Sequence, residues 1–127
     1  MTKVLHVDDD ADIREITRIS LEVVGPFTLL QCSNGFDALE QGPQFLPDII
    51  LMDVMMPELG GVDTCARMKD IPNLANVPVI YMTAKAQTRE MQSLMDTGAI
   101  GVITKPFDPM SLPQQILDLV DQHKKSA

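Results

Sequence analysis

Apolar residues along this chain fall into five short runs, at residues 4–7, 27–30, 49–52, 79–82 and 100–103. Each run is too short for a helix, is rich in branched side chains, and lacks polar alternation. Uninterrupted apolar strands belong to a sheet covered on both faces, and such sheets are parallel. Helical spacing fills the intervals. Residues 10–24 place apolar or small side chains at 13, 16, 20 and 24, one face of a helix, and Gly25-Pro26 stops it. Residues 34–45 predict a second helix with a cap at Ser33 or Asn34. Residues 61–70 predict a short third. A fourth, 86–97, aligns Met91, Leu94 and Met95 and ends at Gly98. The last aligns Leu112, Ile116, Leu119 and Val120. Its start is open between Asp108-Pro109 and Ser111, and Pro113 is tolerated only in the first turn. Strand and helix alternating five times predict an α/β, doubly wound fold with a five-stranded parallel sheet.

Composition narrows the class. With 127 residues and 45% hydrophobic content the chain suits one domain with one core. No stretch nears the ~20 apolar residues of a membrane helix, and the apolar segment after Met1-Thr2-Lys3 is too short for a signal peptide. A cytoplasmic protein is the expectation. The net charge of -8 argues against direct binding to nucleic acid or anionic membrane. It is compatible with a divalent cation or a basic partner. Cys32 and Cys65 lack metal-ligand spacing and read as small buried hydrophobes. His6, inside the first strand, and His123, near the C-terminal end, have no partner at ligand spacing, and each reads as a core or surface residue. No linker or repeat appears, and residues 1–127 are expected to form a single domain with no output domain in this chain.

Chemistry concentrates where open parallel sheets place it, in loops at the carboxyl ends of strands. Asp8, Asp9 and Asp10 follow the first strand, Asp53 the third, Thr83 the fourth and Lys105 the fifth. Asp10 reads as a helix N-cap, aided by Asp12 in the first turn. Neighbouring carboxylates at Asp8 and Asp9 repel one another and call for a cation or for protons. Mg2+, a hard octahedral ion held by a couple of carboxylates, water and phosphate oxygens, fits that need. A further carboxylate facing the ion can attack phosphorus and carry an acyl phosphate. The ammonium of Lys105 and the hydroxyl of Thr83 would then neutralise and hydrogen-bond the phosphoryl group.

The motifs V-D-D-D at 7–10, L-M-D-V-M-M-P at 51–57 with Gly61 beyond, M-T-A at 82–84 and T-K-P-F at 104–107 together resemble the receiver domains of two-component response regulators, over nearly the whole chain. The resemblance implies a flavodoxin-like, CheY-like sheet of strand order 2-1-3-4-5. It implies that Asp53 is the phosphoacceptor, charged by a sensor histidine kinase or a histidine phosphotransfer protein. Asp8, Asp9, Asp53 and the backbone carbonyl of Met55 would bind Mg2+. Thr83 would draw its loop toward the phosphoryl, and Lys105 would pair with a phosphoryl oxygen, with a cis Lys105-Pro106 bond. Pro57 and Gly61 would shape the loop after the acceptor. Met55 and Lys85 would lie near the path of hydrolytic water.

One position departs from the family pattern. Val102 stands where an aromatic ring usually accompanies the threonine's movement, and a valine has no ring to swing. Tyr81, the chain's only tyrosine, reads as packing. Residues 98–109 carry, besides Lys105, only Asp108 as a charge, unlike the dense charge of symmetric receiver dimers. The expectation is therefore a phosphoacceptor switch rather than an enzyme, at most with slow self-dephosphorylation. It would be a monomer, or a weak phosphorylation-dependent dimer, acting on a downstream protein target. A phosphorelay intermediate or phosphate sink uses the same residues. A phosphatase of the haloacid dehalogenase type needs an acid two residues after its nucleophile, where this chain has Met55. An unphosphorylated scaffold is disfavoured by the full set of acidic and basic positions.

Overall fold

The structure is a computed structural model and describes residues 2–85 and 87–126. Five strands, β1 (Thr2–Val7), β2 (Phe27–Cys32), β3 (Ile49–Asp53), β4 (Val79–Thr83) and β5 (Gly101–Thr104), form one parallel sheet of order β2-β1-β3-β4-β5. Five helices alternate with them: α1 (Ala11–Arg18), α2 (Gly35–Phe45), α3 (Gly61–Met68), α4 (Thr88–Asp96) and α5 (Leu112–Ser126). Every apolar run of the sequence is a strand, within a residue or two at its ends. Fold class and strand order are as the patterning and the family motifs together imply.

The apolar runs make sense as strands with two buried faces. Leu5, Val7, Ile50, Met52 and Tyr81 pack with Cys65 and Met68 of α3 and Leu94 of α4 in one core. Val4, Ile49, Leu51, Ile80, Met82 and Ile103 pack with Leu21, Leu112 and Ile116 in the other. There are thus two half-cores separated by the sheet, where one core was expected. Cys32 and Cys65 are free and buried, with burial pushing both thiols up to about 11.

Helix ends follow the capping chemistry. Asp10 accepts the backbone N–H groups of Asp12 and Ile13, as its N-cap reading requires. Asn34 accepts the Asp37 N–H at 2.8 Å and is the cap of α2. Gly98 adopts a left-handed φ of 99°, and its N–H closes on Met95 as α4 ends. Ala86, the expected start of that helix, lies outside the described residues. Asp108 supplies the turn that starts α5, receiving the N–H of Met110 on its carboxylate and those of Ser111 and Leu112 on its carbonyl. Pro113 then sits in the first turn.

The first helix corrects the sequence reading. It is α-helical only to Arg18 and continues as a π-helical segment, Ile19–Val24, closed by Gly25 N–H on the Ser20 carbonyl at 2.9 Å. The buried positions are Thr17, Ser20 and Leu21, while Ile16 and Val24 of the expected face are 41% and 43% exposed. The wider turn changes the angle per residue, so a 3.6-residue period carried through to Val24 lands on the wrong side. The Ser20 hydroxyl donates to the Pro109 carbonyl, which fixes the inward face against the loop before α5.

Candidate functional site

The sheet register delivers the polar residues to one end. β1 and β3 pair with Val7 opposite Met52, β3 and β4 with Asp53 opposite Met82, and β4 and β5 with Thr83 opposite Thr104. Asp8, Asp53, Thr83 and Lys105 therefore emerge at the same edge. Asp8 is wholly buried, Asp53 and Thr83 nearly so, and Asp9 is exposed.

The Lys105 ammonium joins the two buried acids. Its Nζ donates to Asp8 Oδ2 at 2.8 Å and to Asp53 Oδ1 at 3.0 Å. Asp8, Asp9 and Asp53 each bring a carboxylate oxygen within 4.8 Å of the others. Burial, offset by the Lys105 hydrogen bond and reinforced by the charge of Asp8, pushes the Asp53 carboxyl up to about 6. Burial pulls the Lys105 ammonium down, but its hydrogen bonds to the two acids outweigh that and the net shift is upward. Three crowded carboxylates balanced by one ammonium leave an excess of negative charge. An all-oxygen donor set of this size fits a hard divalent cation such as Mg2+.

The neighbouring loops are held close. Val54 N–H donates to the Met82 carbonyl at 3.1 Å, and Lys105 N–H to the Thr83 carbonyl at 2.9 Å. The Thr83 hydroxyl accepts the Lys85 N–H at 3.0 Å, which leaves its own proton to donate. Met55, Thr83 and Lys85 line one open cleft beside Asp53, and Met55 is 65% exposed. A Cβ on Gly61 would lie 2.1 Å from the Asp53 carbonyl oxygen, so this position admits only glycine without moving the acidic strand end. The Lys105-Pro106 bond is cis. Every residue singled out by the strand-end argument thus arrives at the site, except Asp10, which caps α1.

Tyr81 is buried directly opposite Val102 on β5, with its hydroxyl beside Cys65 and Thr97. It is packing, as the sequence indicates. His123 is exposed on α5.

His6, Arg14 and Gln31 join the site without having been singled out for it. Arg14 donates from its guanidinium to the Asp8 carbonyl at 2.7 Å. His6 is fully buried, and its Nε2 lies 4.0 Å from Asp8 Oδ2. Burial, then the nearby charges of Lys105 and Arg14, hold its imidazole neutral with a pKa near 3. The available signal was strand period: residues two apart share a face, so a histidine at 6 points the same way as the acid at 8.

Comparisons with known proteins identify the family. The family described as response regulator receiver domain matches residues 4–117. The chain belongs to that family. Receiver domains are the signalling modules of two-component systems, and similar proteins illustrate the range. The transcriptional regulatory protein CseB of Streptomyces coelicolor is 40% identical over 115 residues, 91% of this chain and 47% of its own length. An uncharacterized 14.6 kDa protein of Leptolyngbya boryana is 34% identical over 86% of this chain and 82% of its own. The chemotaxis response regulator CheY4 of Vibrio cholerae superposes with a TM-score of 0.85 at 27% identity, covering 94% of this chain and 98% of the other. This chain spans about half the length of the transcriptional regulators it matches. Among the described residues no helix is long and apolar enough to cross a membrane.

Proposed function

We propose that this receiver domain is a phosphorylation switch whose acceptor is Asp53. The observation that carries the reading is the Lys105 ammonium shared between Asp8 Oδ2 and Asp53 Oδ1 at 2.8 and 3.0 Å, with Asp9 beside them. An ammonium fixed on the acceptor carboxylate stands where the oxygens of an incoming phosphoryl group need positive charge.

The donor is a phosphohistidine of a sensor kinase or phosphotransfer protein. An Asp53 carboxylate oxygen attacks phosphorus, the bond from phosphorus to the donor's imidazole nitrogen breaks, and the imidazole leaves with the bonding pair and takes a proton. Asp8, Asp9, Asp53 and the Met55 carbonyl would hold Mg2+, which when bound supplies charge neutralisation for the transferring oxygens. Lys105 then follows the phosphoryl oxygens, and the free proton of the Thr83 hydroxyl donates to another. The Lys85 N–H bonded to that hydroxyl couples any movement of Thr83 to the backbone at Lys85. Phosphorylation in this way biases a two-state loop and alters a surface read by a protein partner.

The helix leaving the site supports a protein donor. Ile16, Ile19, Val23 and Val24 are exposed on α1 and its π-helical extension, Val23 to 72%. An apolar stripe on the element that starts at the acidic loop suits the docking of another helix. The sparsely charged β5 region favours heterologous contacts over a symmetric dimer. The site residues suit a phosphorelay intermediate equally, because acceptance of the group is the same step.

A titration with beryllofluoride and Mg2+ followed by amide NMR tests this reading. The amides of Val54, Thr83 and Lys105 are expected to shift together in wild type and to stay in place in Asp53→Asn. Equal shifts in both proteins would remove Asp53 as the acceptor.

A further inference from the structure

Behind Asp8 lies a chain of hydrogen bonds that the phosphoacceptor reading leaves without a role. His6 and Gln31 are register partners on β1 and β2, so their side chains stand next to each other on one face. Gln31 Nε2 donates to the Arg14 carbonyl at 2.7 Å and meets His6 Nδ1 at 3.1 Å. A carbonyl only accepts, so the Gln31 amide must present its NH2 group there, and His6 Nδ1 is the acceptor. The ring proton of His6 therefore sits on Nε2. That N–H is buried, has no hydrogen-bond partner among the described residues, and is 4.0 Å from Asp8 Oδ2. Arg14 carries the chain back to Asp8 by donating to its backbone carbonyl.

A buried N–H left without an acceptor 4.0 Å from a carboxylate oxygen is a costly arrangement to keep. It becomes useful if the carboxylate loses a donor it has now. Asp8 Oδ2 has one in Lys105, and Asp8 is sealed from water. We propose that His6 is a positioning residue for Asp8, whose Nε2–H takes over Oδ2 when the Lys105 ammonium leaves it. The cause of that departure, a phosphoryl group on Asp53, rests on the function proposed above; the exchange of donors itself does not. Closing from 4.0 Å to an ordinary N–H to oxygen distance of ~2.9 Å takes a small side-chain movement. No proton is transferred, and the imidazole stays neutral. Asp8 thereby keeps the orientation that a metal ligand needs while its former partner serves the phosphoryl.

The direct test removes the ammonium in another way. In Lys105→Met, without metal or phosphoryl mimic, the His6 ring N–H is expected to move downfield and to exchange more slowly with solvent than in wild type. An unchanged ring signal would overturn the proposal. In wild type, Mg2+ and beryllofluoride should give the same downfield movement, and Asp53→Asn should not. If the amides around Asp53 respond but the His6 ring does not, the donor exchange is wrong and the acceptor reading stands. If neither responds, the acceptor reading fails and the Lys105→Met result decides for His6 alone. Calorimetric Mg2+ titration in the Lys105→Met background, where the ammonium is already gone, adds a readout in solution. His6→Leu fills the core without a donor and should lose about tenfold in affinity, the usual scale for a partner of a metal ligand. His6→Gln offers an acceptor and a donor at similar reach and should recover most of it. Equal affinities in all three proteins would contradict the role.

Discussion

Asp53 is the residue on which the electrostatics of the site turn. Its carboxyl is pushed up from 3.8 to about 6, first by burial and then by Asp8. A raised acid favours the folded state while protonated, so this contribution is complete below pH 3.8 and disappears as pH climbs through about 6. Asp53→Asn keeps the shape without the charge. It is expected to be more stable than wild type at neutral pH by on the order of 1–3 kcal/mol, with the difference vanishing toward pH 4. Urea melts of the two proteins across that range measure it, and parallel pH profiles would refute it. Lys105→Met leaves Asp8 and Asp53 facing each other without their cation. A loss of about 3–5 kcal/mol at neutral pH is expected. Mg2+ should stabilise this variant more than wild type, which calorimetry can check. The strand-end residues were legible from sequence because apolar runs mark where strands stop. The His6-Gln31 pairing was not, because it depends on the register of β1 against β2 and not on any local pattern.

Elements place these residues by close approach. The loop from β3 to α3 returns so tightly that Gly61 lies against the carbonyl of Asp53, with its N–H on Val54 at 3.0 Å. Gly61→Ala must move the acceptor strand end or the start of α3, and a loss of about 1–3 kcal/mol is expected. The effect should reach the site, seen as displaced amide signals at Asp53 and Val54; a shift confined to α3 would contradict the role. Element type and approximate bounds were readable throughout. The phase of α1 was not. Reading by polarity put Ile16 inside, whereas the structure exposes it and buries Thr17 beside it. Thr17 and Ser20 are small enough for α1 to lie close to the sheet and to the loop at Pro109. The π-helical turn then rotates Val24 away, and no pattern of hydrophobic positions announces a change of pitch.

At the scale of the whole molecule, the parallel sheet gathers acids, hydroxyl and ammonium from four separate strand ends. The family motifs made that assembly readable, since strand order does not follow from the spacing of apolar runs. What the motifs left out was the charge balance in three dimensions, which shows three carboxylates against one ammonium. A cation that binds only the folded arrangement stabilises it by mass action, by about 2.7 kcal/mol at a hundredfold excess over its dissociation constant. Mg2+ is therefore expected to raise the melting temperature at neutral pH. The effect should fade as pH falls through about 6, where Asp53 takes up its proton. A stabilisation of equal size at acid pH would place the ion elsewhere.

Asp53 is the residue expected to carry the phosphoryl group. Intact-mass measurement after incubation with Mg2+ and acetyl phosphate tests it most directly. Wild type should gain one acid-stable, base-labile phosphoryl that is lost on hydroxylamine treatment, and Asp53→Asn should gain none. Equal modification of the two proteins would contradict the assignment.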